Sequence, residues 1–218
     1  MLKNINLTED LEKYIISHSR NLHPVQEELL IGNEKLGDIK RMQISIVQAY
    51  FLQLLIKIKK IKSILEIGTF TGFSALSMGL SLPEDGKLIT VDKNEKTNFI
   101  AQNFFKKANL TQKIKQILKP AVEALRDLKK INSVFDLIFI DADKENYKIY
   151  YENSLELLKK DGLLIIDNVL WRGEVVNQNS KDKYINIIRD FNDHLKKDKR
   201  INQIILPLGD GLSVCIKK

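Results

Sequence analysis

Between residues 62 and 167 the chain repeats one pattern: a short apolar run, a turn, then a stretch with apolar residues three or four positions apart. The apolar runs at 63–67, 87–92, 114–118, 135–141 and 162–167 predict strands, and the amphipathic stretches between them predict helices. Strands that alternate with helices need crossover connections, which produce a parallel sheet covered on both faces. The pattern then changes. A helix is expected over 182–196, followed by strands at 203–206 and 212–216 joined through Pro207 and Gly209-Asp210-Gly211. So short a turn makes a hairpin, and the final strand is expected to run antiparallel.

The first sixty residues read as helical. Thr8 can cap a first helix that carries Glu9 and Asp10 at the positive end of its dipole and an apolar stripe of Leu11, Tyr14 and Ile15. A second helix is expected to start at Pro24 and fade at Gly32 or Gly37, and a third to span 43–59. The third is apolar almost all round, through Ile44, Ile46, Val47, Phe51, Leu54, Leu55 and Ile58, which predicts burial on more than one side.

Composition narrows the function. A chain of 218 residues that is 44% apolar can build a core, and it contains no repeat or Ser/Gly-rich linker. One folded unit over 1–218 is therefore expected, a helical extension over 1–60 preceding an α/β core over 61–218. The net charge of +7 is spread without a basic arm, which weakens a nucleic-acid reading without removing it. The one cysteine, Cys215, can close no intrachain disulfide, and there is no CxxC pair for zinc, so the cytoplasm is the expected compartment. The first ten residues reach charge before any apolar run, unlike a signal peptide, and no apolar stretch approaches the roughly 20 residues of a membrane span. His18, His23 and His194 are scattered and are expected to be surface or packing residues.

The chemistry gathers at the predicted strand ends. The first strand runs into Glu66-Ile67-Gly68-Thr69-Phe70-Thr71-Gly72 and a helix near Ser74. Such glycines allow a tight turn and close ligand approach, and the helix start presents free N–H groups. Glu66 stands where a dinucleotide fingerprint has its first glycine; it would repel a pyrophosphate and suits a ligand carrying an ammonium group. Asp92 ends the second strand twenty residues after Gly72, where a carboxylate can take both hydroxyls of a ribose. The fourth and fifth strands end in Asp141-Ala142-Asp143-Lys144 and Asp167-Asn168. Asp141, Asp167 and Asn168 offer three hard oxygens and neither sulfur nor imidazole, a set that favours Mg²⁺, Mn²⁺ or Ca²⁺ over zinc.

Taken together these segments resemble the cation-dependent O-methyltransferases of the caffeoyl-CoA and catechol type, which use S-adenosylmethionine. The resemblance covers almost the whole chain and rests on Met42-Gln43-Ile44-Ser45, Leu65-Glu66-Ile67-Gly68-Thr69 with Thr71-Gly72 and Ser74, Phe139-Ile140-Asp141-Ala142-Asp143-Lys144 with Tyr147, Asp167-Asn168-Val169-Leu170-Trp171, and Leu206-Pro207-Leu208-Gly209-Asp210-Gly211-Leu212. It implies a Rossmann-like class I methyltransferase fold with a mostly parallel seven-stranded sheet and an antiparallel last strand. It further implies that Ile44, Glu66, Gly68, Thr69, Ser74, Asp92, Ala121, Asp141 and Asp143 hold the cofactor and that Asp141, Asp167 and Asn168 bind the cation, most readily Mg²⁺. Lys144 would be the general base, with Asp141 beside it, and Met42, Lys144, Trp171, Arg172 and Tyr184 would face a small hydroxylated aromatic acceptor. A homodimer is also implied.

Two departures bear on the acceptor. The family often carries Pro-Glu-Gln-Gly after the serine of the first segment, whereas this chain reads Ile46-Val47-Gln48-Ala49-Tyr50. Plant members place a basic residue shortly before the tyrosine to help hold coenzyme A, and here the stretch is Lys181-Asp182-Lys183-Tyr184. A hydroxyuridine in tRNA is the alternative acceptor, since some bacterial relatives modify one, and a non-catalytic cofactor-binding module is the third reading.

Overall fold

Along β1 (Ser63–Ile67) and β4 (Phe135–Ile140) neighbouring residues enter different cores. Ile64, Leu137 and Phe139 pack on one face of the sheet, while Leu65, Ile67, Ile138 and Ile140 pack on the other. Side chains alternate along a strand, so an unbroken apolar run records burial on both sides. The computed structural model describes residues 5–19 and 21–218; residues 1–4, on which the reading of the first ten residues partly rests, lie outside it.

Among the described residues β1, β2 (Lys87–Asp92), β3 (Ile114–Leu118), β4, β5 (Leu158–Ile166), β6 (Ile201–Leu206) and β7 (Leu212–Lys217) form one sheet in the order β3-β2-β1-β4-β5-β7-β6. The pairs from β3 through β5 are parallel, and β7 runs antiparallel to both β5 and β6, as the short turn requires. Helices α4 (Phe73–Ser81) and α5 (Glu95–Lys107) cover one face, with Phe73, Leu76, Ala101 and Phe105 in its core. Helices α6 (Ala121–Lys130), α7 (Tyr147–Leu157) and α8 (Lys183–Lys197) cover the other through Leu125, Tyr151 and Phe191. The connections leave β1 and β4 in opposite directions along the sheet. Between them lies the switch point at which open α/β sheets bind ligands.

The N-terminal helices α1 (Glu9–Ser17), α2 (Pro24–Glu34) and α3 (Ile46–Ile58) complete the first face. Ala49, Leu52 and Ile56 of α3 share a core with Leu163, Ile165 and Leu212 of the strands that α4 and α5 do not reach. As expected, Thr8 caps α1, its hydroxyl accepting the Leu11 N–H at 3.3 Å.

Some boundaries differ from the sequence reading. The second helix runs past Gly32 to Glu34, and a 3-10 turn, Gly37–Met42, follows. The third begins at Ile46 rather than 43, because Ser45 Oγ accepts the Gln48 N–H at 3.2 Å while Gln48 Oε1 accepts the Ser45 N–H at 2.8 Å. Gln43 stays extended, so Met42 and Ile44 precede the helix and reach the edge of the sheet. Strand β5 starts four residues early, at Leu158, across an irregularity in its pairing with β4; the polar Lys159-Lys160-Asp161 hid that start. Asp182 caps α8 and is not its first residue.

Candidate active site

The loop after β1 is shaped by contact. Gly68 has φ +99°, and a Cβ there would lie 1.9 Å from the Asp141 carbonyl oxygen. Only a residue without a side chain lets β1 turn while resting on the end of β4. The Asp141 N–H donates to Ile67 O at 2.8 Å and the Asp167 N–H to Ile140 O at 2.9 Å, which carries the ladder to the two aspartates. Gly72, with φ +88°, precedes α4 without a side-chain cap, and Ser74 stands in the first turn. The loop is also pinned to β2: Asp92 Oδ2 accepts the Thr69 and Phe70 N–H groups at 3.0 and 2.9 Å, and Oδ1 accepts that of Asn94 at 2.9 Å. Three of about four acceptor positions are thereby used, leaving room for a hydroxyl.

A cavity of about 1160 Å³ opens at this edge, lined by Met42, Ile44, Gly68, Thr69, Ser74, Asp92, Ala121, Asp141, Asp143, Lys144, Asp167, Asn168, Trp171, Arg172 and Tyr184. Of the residues singled out from the sequence, Glu66 alone lies behind the wall, fully buried. Thr90 donates to its Oε2, and its Oε1 has no partner. Burial pushes its pKa up to about 8, the Asp141 and Asp92 charges add to the rise, and the Ser74 and Thr90 hydroxyls oppose it. The folded chain thus keeps a proton that the unfolded chain loses near pH 4.5, so this contribution is complete below that pH and is lost as pH rises through about 8. Glu66→Gln does not titrate. Without ligand it should melt at the parent's temperature near pH 4 and several degrees higher above pH 8, a gain on the order of a few kcal/mol. Parallel pH profiles for the two proteins would refute the buried, titrating carboxyl.

The oxygen-rich group is assembled at the ends of β4 and β5. Asp167 is 2% exposed, and burial together with the Asp141 charge holds its carboxyl well above the ordinary range. Lys144, 9% exposed, donates to Asn168 Oδ1 at 2.6 Å and lies 3.4 Å from Asp141 Oδ1. A lysine so enclosed is not a solvated helix-start residue. The Lys144 ammonium meets one carboxylate and one amide oxygen, Asp167 lies next to Asn168 in the same wall, and the three hard oxygen donors suit a small divalent cation.

Among the other residues that line the cavity, four hold its side chains or loop in place and were not read as site residues from the sequence. Gln48 donates to Asp167 Oδ1 at 2.9 Å, Tyr150 donates to Asp143 Oδ1 at 2.6 Å, Asp182 accepts from the Trp171 indole, and Asp210 accepts the Arg172 N–H. Their partners are distant in sequence or belong to a loop, so no motif spacing announces them.

Two other places carry none of this chemistry. Glu152, His194 and Asp198 converge within 4.8 Å, but Arg200 already fills the group, 2.9 Å from Glu152 Oε1 and 3.0 Å from Asp198 Oδ1. A more open depression of about 630 Å³ over Asn103, Phe104, Lys106 and Lys107 shares no residue with the site. No helix among the described residues is long and apolar enough to cross a membrane.

The strand order, the antiparallel β7 and the cavity at the switch point define a Rossmann-like class I methyltransferase. Residues 16–218 match the profile of the O-methyltransferase family, and the chain belongs to that family. It is similar to mouse catechol O-methyltransferase domain-containing protein 1, with 36% identity over 95% of this chain and 79% of that protein. It is likewise similar to caffeoyl-CoA O-methyltransferase 1 of Zea mays, with 36% identity over 98% of this chain and 86% of that protein. The crystal structure of the Bacillus cereus O-methyltransferase in complex with SAH superposes with a TM-score of 0.87 at 30% identity, covering 96% of this chain and 97% of that one. The protein is accordingly an S-adenosylmethionine-dependent O-methyltransferase, which bears out the resemblance seen in the sequence.

Proposed function

We propose that the protein methylates one of two adjacent hydroxyls on a small aromatic acceptor of the catechol or caffeoyl type, with a divalent cation taking part. The observation that carries this reading is the meeting of Asp141 and Asn168 at Lys144, with Asp167 in the same cavity wall beside the glycine loop. Gly68, Thr69 and Ser74 line the cofactor's place on the loop and α4, Asp92 takes the ribose, Ala121 leaves room for adenine, and Ile44, Asp141 and Asp143 close the sides. Glu66 supports the loop from behind and supplies a negative charge when ionised.

Asp141, Asp167 and Asn168 would hold the cation, which when bound stabilises the phenolate form of a chelating diol. Lys144 competes with it for the Asn168 and Asp141 oxygens; once released, and after giving a proton to solvent, its amine Nζ can take the hydroxyl proton. The acceptor oxygen would then attack the methyl carbon in line, its O–C bond forming as the C–S bond breaks and S-adenosylhomocysteine leaves. Trp171, Arg172 and Tyr184 hold the ring in that alignment, and positioning is the enzyme's main contribution.

A turnover screen tests the reading. With S-adenosylmethionine and Mg²⁺ or Mn²⁺, catechol or a hydroxycinnamoyl ester should be monomethylated while the corresponding monophenol and hydroxylated tRNA are not. Exhaustive chelation with EDTA should abolish turnover and the added cation restore it. Full activity after chelation would remove the cation from the reaction and leave the three oxygen donors structural.

A further inference from the structure

The segment after Asn168 carries three consecutive residues in the left-handed region: Trp171 with φ 47°, Arg172 with φ 54° and Gly173 with φ 79°. Two of them bear side chains and line the cavity. Left-handed backbone costs roughly 1–2 kcal/mol for each such residue and persists only where other contacts impose it. Two contacts do so here. The Arg172 N–H donates to Asp210, and the Trp171 indole Nε1–H donates to Asp182 Oδ2 at 2.7 Å.

Asp182 makes a second bond with its other oxygen. Oδ1 accepts the Tyr184 N–H at 2.9 Å and so caps α8. One carboxylate therefore fixes Trp171 through its side chain and Tyr184 through its backbone. The two rings stand 5.3 Å apart between centroids and tilt by 60°. A third ring cannot enter a gap of that size, since a stacked sandwich needs about 7 Å between its outer rings. The pair forms a single tilted wall. The Trp171 hydrogen bond is also the leading cause of the lowered Asp182 pKa, as expected for a carboxylate that accepts two bonds.

We propose that Asp182 is a positioning residue for the acceptor: it holds Trp171 in its strained conformation against Tyr184 and thereby sets the wall on which the aromatic acceptor lies. The proposal rests on the reading of Trp171 and Tyr184 as that wall, and the experiment separates the two. Asp182→Ser retains a hydroxyl able to cap α8 but is too short to reach the indole. With catechol as probe, its KM should rise about tenfold, or about 1.4 kcal/mol, while kcat changes less than about threefold and cofactor affinity is unmoved. Trp171 is the only tryptophan in the chain, so its emission reports the anchor directly. In the serine variant it should become more accessible to acrylamide. Trp171→Phe cannot donate the bond, and adding it to Asp182→Ser should raise KM no further than the larger single effect.

Wild-type KM and quenching in Asp182→Ser, or additive effects in the double variant, would overturn the proposal. A variant in which KM, kcat and cofactor affinity all fail together would show a structural role only. Should the serine variant not fold, Asp182→Asn keeps a capping oxygen but turns an amide toward the indole, and the same readouts decide. If the wild-type protein turns over no catechol, the acceptor reading falls, whereas the quenching comparison still decides whether Asp182 anchors Trp171.

Discussion

Lys144→Ala should lower kcat about 10²–10⁴-fold, the usual cost of losing a general base, while affinity for S-adenosylmethionine barely changes. The expectation comes from the position of Nζ, 2.6 Å from Asn168 Oδ1 and 3.4 Å from Asp141 Oδ1 at the cavity wall, and from its enclosure. Lys144 has a second role in the folded chain. It is the ammonium paired with Asp141 and bonded to Asn168, so the alanine variant should also melt below the parent without added cation. Mg²⁺ should recover much of that difference, because a dication replaces the missing charge, and should recover none of the kcat. Steady-state kinetics and thermal melts with and without Mg²⁺ check both halves. A raised KM at normal kcat would reassign Lys144 to acceptor binding.

Gly68→Ala should do more harm to the fold than any other single methyl at the site. The added Cβ would sit 1.9 Å from the Asp141 carbonyl oxygen and 2.7 Å from its carbon, on a backbone with φ +99°. Both obstacles are main chain, so no side-chain rotation relieves them. Overpacking costs typically 1–3 kcal/mol and a left-handed side-chain residue roughly 1–2 more, which together give about 3 kcal/mol and a Tm loss of about 6–12 °C. Relief by moving the end of β4 would carry Asp141 with it, so cofactor affinity should drop by at least about tenfold in whatever protein remains folded. Calorimetry and cofactor titration read the two effects. An unchanged Tm would show that β1 and β4 do not meet at this point.

Much of this was legible in the chain because the relevant physics is local. A parallel strand buried on both faces leaves a continuous apolar run, so β1 to β4 could be located to within a residue, and Glu66-x-Gly68, Asp92, Asp141 and Asp167 fall at the ends of those runs. Strand β5 was half hidden, since its first turn of pairing uses Lys159-Lys160-Asp161, which no apolar pattern marks. Capping set the start of α3: Ser45 and Gln48 bond reciprocally, and the periodic apolar residues alone could not say that Ile44 lies outside the helix. The supporting residues were illegible for another reason. Gln48 meets Asp167 across 119 positions and Arg172 meets Asp210 across 38, and nothing in either stretch encodes the partner until the sheet brings them together. Glu66 was read as a ligand-facing carboxylate, and its place behind the wall follows from the alternation of strand faces, which puts it opposite Thr90.

The contact between Gln48 and the turn after β6 has a temporal consequence. A Cβ on Gly209 would lie 2.4 Å from the Gln48 amide, so the start of α3 and the β6–β7 turn close over Asp167 from opposite sides. During synthesis the glycine loop and both aspartates leave the ribosome well before residues 209–212, whose arrival seats Leu212 against α3's core and completes the far wall. A chain halted before that turn carries Gly68, Asp92, Asp141 and Asp167 but lacks Gly209 and Asp210, which line the far side of the cavity. A chain truncated before that turn should therefore show no methyl transfer, because it lacks the wall that Gly209 and Asp210 contribute to the cavity.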